Sequence, residues 1–409
     1  HPLLLVEGYQ AALDVTLSVL DDRAVKISPL DTERLTLVAK TAMTGTSAES
    51  ESGHLAQCIV QAAQTVAGEL EGHLHVRTQD VRMTKRGVGS IADTTLVEGL
   101  ILERKFDLDR MPRNLPKGTI AVLSCPISME QSGRESEIEI TSPDQWVAFM
   151  DAEEKLLENK ARKILSTGAS IVVCAEEIDS RILHKFVDSG LFALGGLERS
   201  GAEDVAKASG AQMIDHIDDL DHDSLGHFEA MSVEIFEGDD SRRERLHLSF
   251  GSNAGLATVD VGGGDGVASE EVIRGLYDAL CSVTSAMETG EVLLGGGSLH
   301  VAASLSVKDA AEQHSGRERL AMDAFARALE AIPSTLISNS GNDQLDRLLE
   351  LRSQHRQGNS NYGVSESGLC EAIDQAWSSA ETISHALQAA CETACGLLRV
   401  DQVISARGD

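Results

Sequence analysis

Two helical stretches enclose a long block in which short apolar runs alternate with amphipathic ones, and this order narrows the folds open to the chain. Across residues 1–70 and 291–409, apolar side chains recur at steps of three and four, the spacing that lines one face of an α-helix. From 72 to 255 the pattern changes. Residues 119–124, 170–174 and 191–194 are short and apolar, as in parallel strands covered on both faces, with helical patterns at 145–166, 179–189 and 201–209. Strand, helix, strand in that order implies βαβ units with right-handed crossovers. A chain of 409 residues has room for two or three such parts. The expected class is multidomain, α and α/β.

Val6, Tyr9, Leu13, Leu17 and Leu20 form the first helical stripe, with Pro2 near its start. A second helix is expected from 31 to 44, capped by Asp31 with Leu35, Val38 and Ala42 inward, and a third over about 53–70. Near the other end, Leu320, Ala324, Phe325, Ala328 and Ile332 mark a helix that Pro333 should terminate. Aromatic residues make up 3% of the chain, so these helices must pack through Ala, Leu and Val.

The stretch 268–300 carries the chemistry. Val272, Leu276, Leu280, Val283 and Met287 form one buried stripe. Ser269 is the expected N-cap, with Glu270 and Glu271 in the first turn, and Gly290 stops the helix. Asp278 lies two residues from both Leu276 and Leu280, so it points away from the stripe. Gly295, Gly296 and Gly297 follow, a backbone without Cβ atoms that a flat ligand such as a ribose or base can approach. A carboxylate on a rigid helix beside such a turn suits a water-activating group near a nucleotide. A solvated Asp and an ordinary glycine turn fit the same pattern, so spacing alone leaves both readings open.

Asp278-Ala279-Leu280 followed by Gly295-Gly296-Gly297 resembles the hinge segment of the group II chaperonins, the thermosome and its eukaryotic relatives. The opening His1-Pro2 with Glu7-Gly8-Tyr9, the segments 41–45, 316–321 and 345–349, and the terminal 397–404 are similar to the same archaeal family, in order. The resemblance implies that Asp278 orients the water attacking ATP and that Gly295, Gly296 and Gly297 contact the nucleotide. Two positions depart from the pattern. Thr46 stands where relatives usually carry Lys. Ser378-Ser379 stands where they carry an acid and Pro, the acid contacting the ribose, so Ser378 is the aligned cofactor-binding position. Lys26 could lie near the family's nucleotide-sensing loop, although a solvated lysine is the more ordinary reading there.

Residues 72–255 resemble the family's apical domain over their whole length, through Gly87 to Asp93, Met111-Pro112, Ser124-Cys125-Pro126, Gly168-Ala169 and Ala206 to Ala211. The implied organisation is an intermediate domain at 1–71 and 256–290, an apical substrate-binding domain at 72–255 and an equatorial domain at 291–409. A helical protrusion at about 126–166 would close the chamber. It would start with a polar linker at 130–137 and continue into a helix bearing Trp146, Val147, Phe149 and Met150. Clustered Trp, Phe and Met supply adaptable apolar surface for an unfolded client, and packing on the apical core would use the same side chains. Gly195 to Arg199 replaces a basic cluster of the relatives. Gly262-Gly263-Gly264-Asp265-Gly266 lacks the G-x-G-x-x-G spacing and reads as a hinge back to the intermediate domain.

Charge bounds the partners. The 65 acidic against 35 basic side chains leave a formal charge of −30, which argues against nucleic-acid or anionic-membrane binding. Such an excess along the whole chain fits a salt-rich cytosol, where screening removes self-repulsion, and points to a halophilic source. No apolar run reads as long enough to span a bilayer and no signal peptide is evident, so a cytoplasmic protein is expected. The seven Cys residues form no Cys-x-x-Cys pair, so buried thiols are the default. In the acidic segment 214–227, Asp219, Asp221 and Asp223 alternate, but Ser224 and Ala230 stand where a calcium loop needs Gly and Glu. A solvated loop is expected there, and no metal ligand is assigned.

The chain opens on a helical pattern at His1, and the Gly-Asp-Gly-Thr-Thr phosphate loop that binds magnesium in relatives does not occur. The resemblance therefore implies a fragment without the N-terminal equatorial segment, inactive alone, with ATP and Mg2+ as cofactors of the longer subunit. The implied function is ATP-dependent folding of unfolded protein clients in a homo- or hetero-oligomeric double ring, with hydrolysis coupled to lid closure. A nucleotide-independent holdase or ring-filling subunit is the alternative, suggested by Ser378 and Thr46. A small-molecule α/β enzyme would need a nucleophile–base pair that the sequence does not offer.

Overall fold

The computed structural model describes residues 2–104, 110–128, 142–237, 242–251, 255–264 and 266–400. The chain divides into two compact units, one of His1–Gln64, Glu69–Thr78 and Asp265–Asp409, the other of Thr65–Gly68 and Gln79–Gly264. The helical ends thus fold together and the α/β block is an insertion between them. The linker at 130–137, Asp265 and the chain from Asp401 onward, each given a role above, lie outside the described residues.

The first unit begins with α1 (Pro2–Arg23), β1 (Val25–Lys26), α2 (Thr32–Met43) and α3 (Ser52–Val66). Asp31 caps α2 as expected, its carboxylate accepting from the Arg34 N–H at 3.1 Å. Leu35, Val38, Ala39 and Met43 are buried, whereas Ala42 is half-buried. The third helix ends earlier than its pattern suggested. Gly68 opens a short strand, β2 (Gly68–Leu70), and β3 (His73–His75) follows a turn in which Glu71 and Gly72 take φ of 52° and 83°.

The second unit holds β4 (Val81–Gly87), β5 (Thr95–Val97), β6 (Gly99–Glu103), β7 (Asn114–Leu123) and α4 (Pro143–Ser166). It continues through β8 (Ile171–Cys174), α5 (Ser180–Asp188), β9 (Phe192–Leu194), α6 (Arg199–Ser209) and β10 (Met213–Ile214), and ends with β11 (Gly226–Glu237), β12 (Arg242–Ser249) and β13 (Ala257–Gly264). The three apolar runs are parallel neighbours: Ile120 of β7 lies opposite Ile171 of β8, and Ile171 opposite Phe192 of β9. Their residues, with Leu157, Ile164, Phe186 and Val205 from the helices, form the core. The other half of the sheet, β6-β12-β11-β7, is antiparallel and was not foreseen. Its buried residues Phe228, Met231, Leu246 and Leu248 are interspersed with polar ones, so no continuous apolar run announces it. In the segment 214–227, Ile217, Leu220 and Leu225 turn inward while Asp219, Asp221 and Asp223 face solvent.

β13 centres a second sheet, parallel to β4 and antiparallel to β5. It runs on through Gly262 and Gly264, which corrects the expected glycine hinge. The Gly262 N–H donates to Thr94 Oγ1 at 3.1 Å, and a Cβ there would overlap the Ser90 carbonyl oxygen. A buried ion cluster sits on this sheet. Asp260 accepts from Arg245 Nη1 at 3.1 Å, Arg86 Nε at 3.0 Å and Thr84 Oγ1 at 3.2 Å, and both Asp260 and Arg245 are fully buried. Burial alone would raise the Asp260 carboxyl, but the two guanidiniums outweigh it and hold it below the usual carboxylate range.

The chain returns to the first unit through α7 (Val267–Thr289), β14 (Glu291–Leu294), α8 (Ser298–Ala311), α9 (Gly316–Leu329), α10 (Ala331–Asn339) and α11 (Gln344–Arg356). The last elements are β15 (Tyr362–Val364), β16 (Cys370–Ala372), β17 (Trp377–Ser379) and α12 (Ala380–Leu398). All five stripe residues of α7 are buried, and Gly290, at φ 67°, closes the helix. Its N-cap, however, is Gly266 rather than Ser269, which is buried in the first turn. The stripe assigned to α9 faces the wrong way. Leu320 and Ala328 are exposed, and the buried line is Ala321, Met322, Ala326 and Leu329. Pro333 does not end that helix but sits at the third position of α10, where a missing N–H is tolerated. The membrane expectation also needs correcting, because by length and composition Leu3–Arg23 is long and apolar enough to cross a bilayer. Within its unit α1 packs on α8, α9 and α12, which accounts for that composition.

Candidate functional site

Lys26, Ser378 and the residues leading into the glycine turn lie on a three-stranded sheet of order β1-β14-β17. Antiparallel pairing sets Lys26 opposite Glu291 and Ser378 opposite Leu293. Directly after β14, the Gly295 N–H donates to the Ala376 carbonyl at 2.8 Å, which ties the glycine turn to the approach of β17. Gly297, at φ 72°, is the N-cap of α8. Gly296 and Gly297 need glycine for conformation, and all three positions need it for packing. A Cβ would meet Ala376 Cβ at 3.0 Å from Gly295, the Val364 oxygen at 2.8 Å from Gly296 and Pro333 Cβ at 2.7 Å from Gly297. On the side where a Cβ would project, protein rather than ligand fills the space.

Side chains alternate along β17, so Ser378 faces away from Trp377 and Ser379. The Ser378 side chain is half-buried, and its hydroxyl makes no hydrogen bond among the described residues. Ser379 is engaged. Ser285 of α7 spends its single proton on Glu381 Oε2 at 2.8 Å, so the 2.7 Å contact between Ser285 and Ser379 must be a donation from Ser379. Trp377 is engaged as well. Its backbone N–H donates to Thr41 Oγ1 of α2 at 3.0 Å, and the Arg34 guanidinium lies 4.8 Å above its ring.

Asp278 stands on the exposed face of α7, as the stripe predicts. The helix packs on α2 and against β17. Seven residues separate Asp278 from Ser285, about 10 Å along the helix axis, and the Asp278 carboxylate makes no hydrogen bond among the described residues. The structure therefore brings Gly295, Gly296, Gly297 and Ser378 together and leaves Asp278 in the same unit without a bond to them. Burial, with the Asp278 charge adding to it, pushes the Cys281 thiol up. Thr46, standing where Lys was expected, donates to the Met43 carbonyl at 2.7 Å, and its hydroxyl fills the space beside Gly275 of α7.

In the second unit, Trp146, Val147 and Met150 on the first turns of α4 are 55%, 57% and 41% exposed, and Phe149 is half-buried. These side chains are on the surface rather than in the core of the second unit. A separate apolar cavity of about 330 Å3 in the first unit is lined by His300, Phe325, Ile332, Ile383, Leu387 and Cys391 among others, and none of the candidate residues borders it.

The sequence profile of the TCP-1/cpn60 chaperonin family matches residues 1–408. The chain belongs to that family. It is 34% identical to a thermosome subunit of Methanopyrus kandleri, over all of this chain and 74% of that protein, and 33% identical to the thermosome alpha subunit of Archaeoglobus fulgidus, over all of this chain and 75% of that one. Among solved structures, an open-state monomer of a group II chaperonin from Methanococcoides burtonii superposes with a TM-score of 0.68 at 29% identity, covering 98% of this chain and 93% of that one. This is a multidomain chaperonin fold of the group II type, and a role in protein folding goes with the family. In this chaperonin the contacts that sequence reasoning missed are those of Arg34, Thr41, Ser285 and Ser379. Trp377 carried the one available signal, being one of two tryptophans in the chain.

Proposed function

We propose that the chain is part of an ATP-dependent chaperonin subunit that encloses unfolded protein in a double ring and couples hydrolysis to lid closure. The observation that carries this is the family match across residues 1–408, and the resemblance of Asp278 and Gly295–Gly297 to the family's hinge segment supports it. Residues 1–71 and 256–290 are assigned to the intermediate domain, 72–255 to the apical domain with its protrusion, and 291–409 to the equatorial domain. The glycine turn and the N-terminus of α8 would face the phosphates, since free N–H groups at a helix start favour an anion. The unengaged Ser378 hydroxyl would meet the ribose, and Asp278 would orient the attacking water. Trp146, Val147, Phe149 and Met150 would hold the client, and the subunit would assemble with copies or relatives of itself in a salt-rich cytoplasm. Among the described residues no group of three or more His, Cys, Asp or Glu side chains could hold a metal ion, and no step is assigned to Mg2+.

The test is hydrolysis by the intact subunit. Asp278→Ala should leave ATP binding within about twofold while hydrolysis falls a hundredfold or more, the range for loss of a positioned proton acceptor. Wild-type protein that neither binds nor hydrolyses ATP would sink this reading. A second reading, a holdase without ATPase, is favoured by Ser378, whose hydroxyl replaces the acid of relatives. It predicts capture of denatured protein that ATP does not alter.

A further inference from the structure

β17 is held at both ends by side chains that the sequence patterning did not single out. At one end Trp377 is tied to α2. Its N–H donates to Thr41 Oγ1 at 3.0 Å, and that hydroxyl donates in turn to the Leu37 carbonyl at 2.9 Å, so the link has a fixed direction. The indole N–H donates to the Asp374 carbonyl at 2.7 Å and sets the ring plane. Above the ring lies Arg34, whose Nη1 is buried without a hydrogen-bond partner and whose Nε reaches Asp31 at 3.9 Å. A guanidinium nitrogen denied water and a hydrogen bond is stabilised by the negative face of an indole. At the other end Ser379 is tied to α7 through Ser285 and Glu381. Between the two ties stands Ser378, and one residue before Trp377 the Ala376 carbonyl accepts from Gly295. The helix that Trp377 is tied to packs along α7, which carries Asp278.

From this we infer that Trp377 is a positioning residue for ATP hydrolysis, clamped by Arg34 and Thr41 so that Ser378 and the Gly295–Gly297 turn keep register with the helix bearing Asp278. The inference rests on the ATPase reading given above and adds to it. Trp377 touches neither the water nor the phosphate. It fixes where the nucleotide turn lies relative to α2 and α7, so its loss misaligns the step without removing a nucleotide contact.

Steady-state ATPase of the intact subunit tests this. Trp377→Leu keeps the backbone N–H but removes the aromatic face. It should lower kcat about fivefold to tenfold, while KM for ATP stays within about twofold. Trp377→Phe should restore most of that loss. Arg34→Gln, on a side chain more than a third exposed and therefore safe for folding, should lower kcat by a similar factor, and the double variant should be no worse than either single one. Unchanged kcat in Arg34→Gln, or losses that multiply in the double variant, would overturn the clamp. So would a variant whose melting temperature falls while kcat holds. A wild-type subunit with no ATPase would show itself before any variant is made, and would overturn the functional reading together with the clamp.

Discussion

Gly8 of α1 faces Ala321 of α9 so closely that a Cβ on the glycine would lie 2.7 Å from the alanine Cβ and 2.6 Å from the Glu318 carbonyl oxygen. The two helices touch almost backbone to backbone. This contact also explains why α9 turns Ala321 inward and leaves Leu320 outside, since no larger side chain fits opposite Gly8. Gly8→Val should therefore cost about 2–3 kcal/mol by overpacking, read as a lower melting temperature in calorimetry. Gly396 of α12 makes the contrast, because a Cβ there meets nothing within 4 Å. Gly396→Ala should stabilise by about 0.5–1 kcal/mol.

Asp260 should control the acid side of the stability curve. Its folded carboxyl lies below the ordinary value because Arg245 and Arg86 outweigh the burial that would raise it. A carboxyl depressed on folding contributes stability above its unfolded value, about pH 4, and loses it as pH falls through the folded value. Asp260→Asn strands Arg245 in the interior and should cost about 3–5 kcal/mol at pH 7. Denaturant titrations at pH 7 and below pH 4 should show the wild type losing this contribution and the variant never having it.

On α4, Trp146→Ser with Phe149→Ser should weaken the capture of a denatured client, seen as less suppression of its aggregation. Trp146 is 55% exposed, so the melting temperature should move by no more than a few degrees. Full capture by the double variant would remove these side chains from the client surface.

Net charge sets a further expectation. With −30 formal charges to screen, the melting temperature should rise as KCl is raised from low to molar concentration. A midpoint that does not move with KCl would count against the salt-rich setting.

Local rules made much of this protein legible. The α7 stripe, the Asp31 cap, the Gly290 stop and the three parallel strands follow from side-chain spacing and from backbone preferences that act within a few residues. Asp278 was correctly placed on the outer face of its helix for the same reason. The antiparallel strands β11 and β12 escaped because half-buried strands carry a weaker pattern, and Gly262 to Gly264 was mistaken for a loop because its strand character comes from pairing with the distant β4.

By itself, then, the chain's order of residues determined its helices, its inserted α/β block and the family to which these belong, since periodicity and motif spacing are properties of neighbours. Which face of α9 is inside, what fills the space beside the three glycines, and how β17 is held were decided only in three dimensions. Trp377 and Thr41 are 336 residues apart, and a bond between them exists only once packing has brought α2 and β17 together.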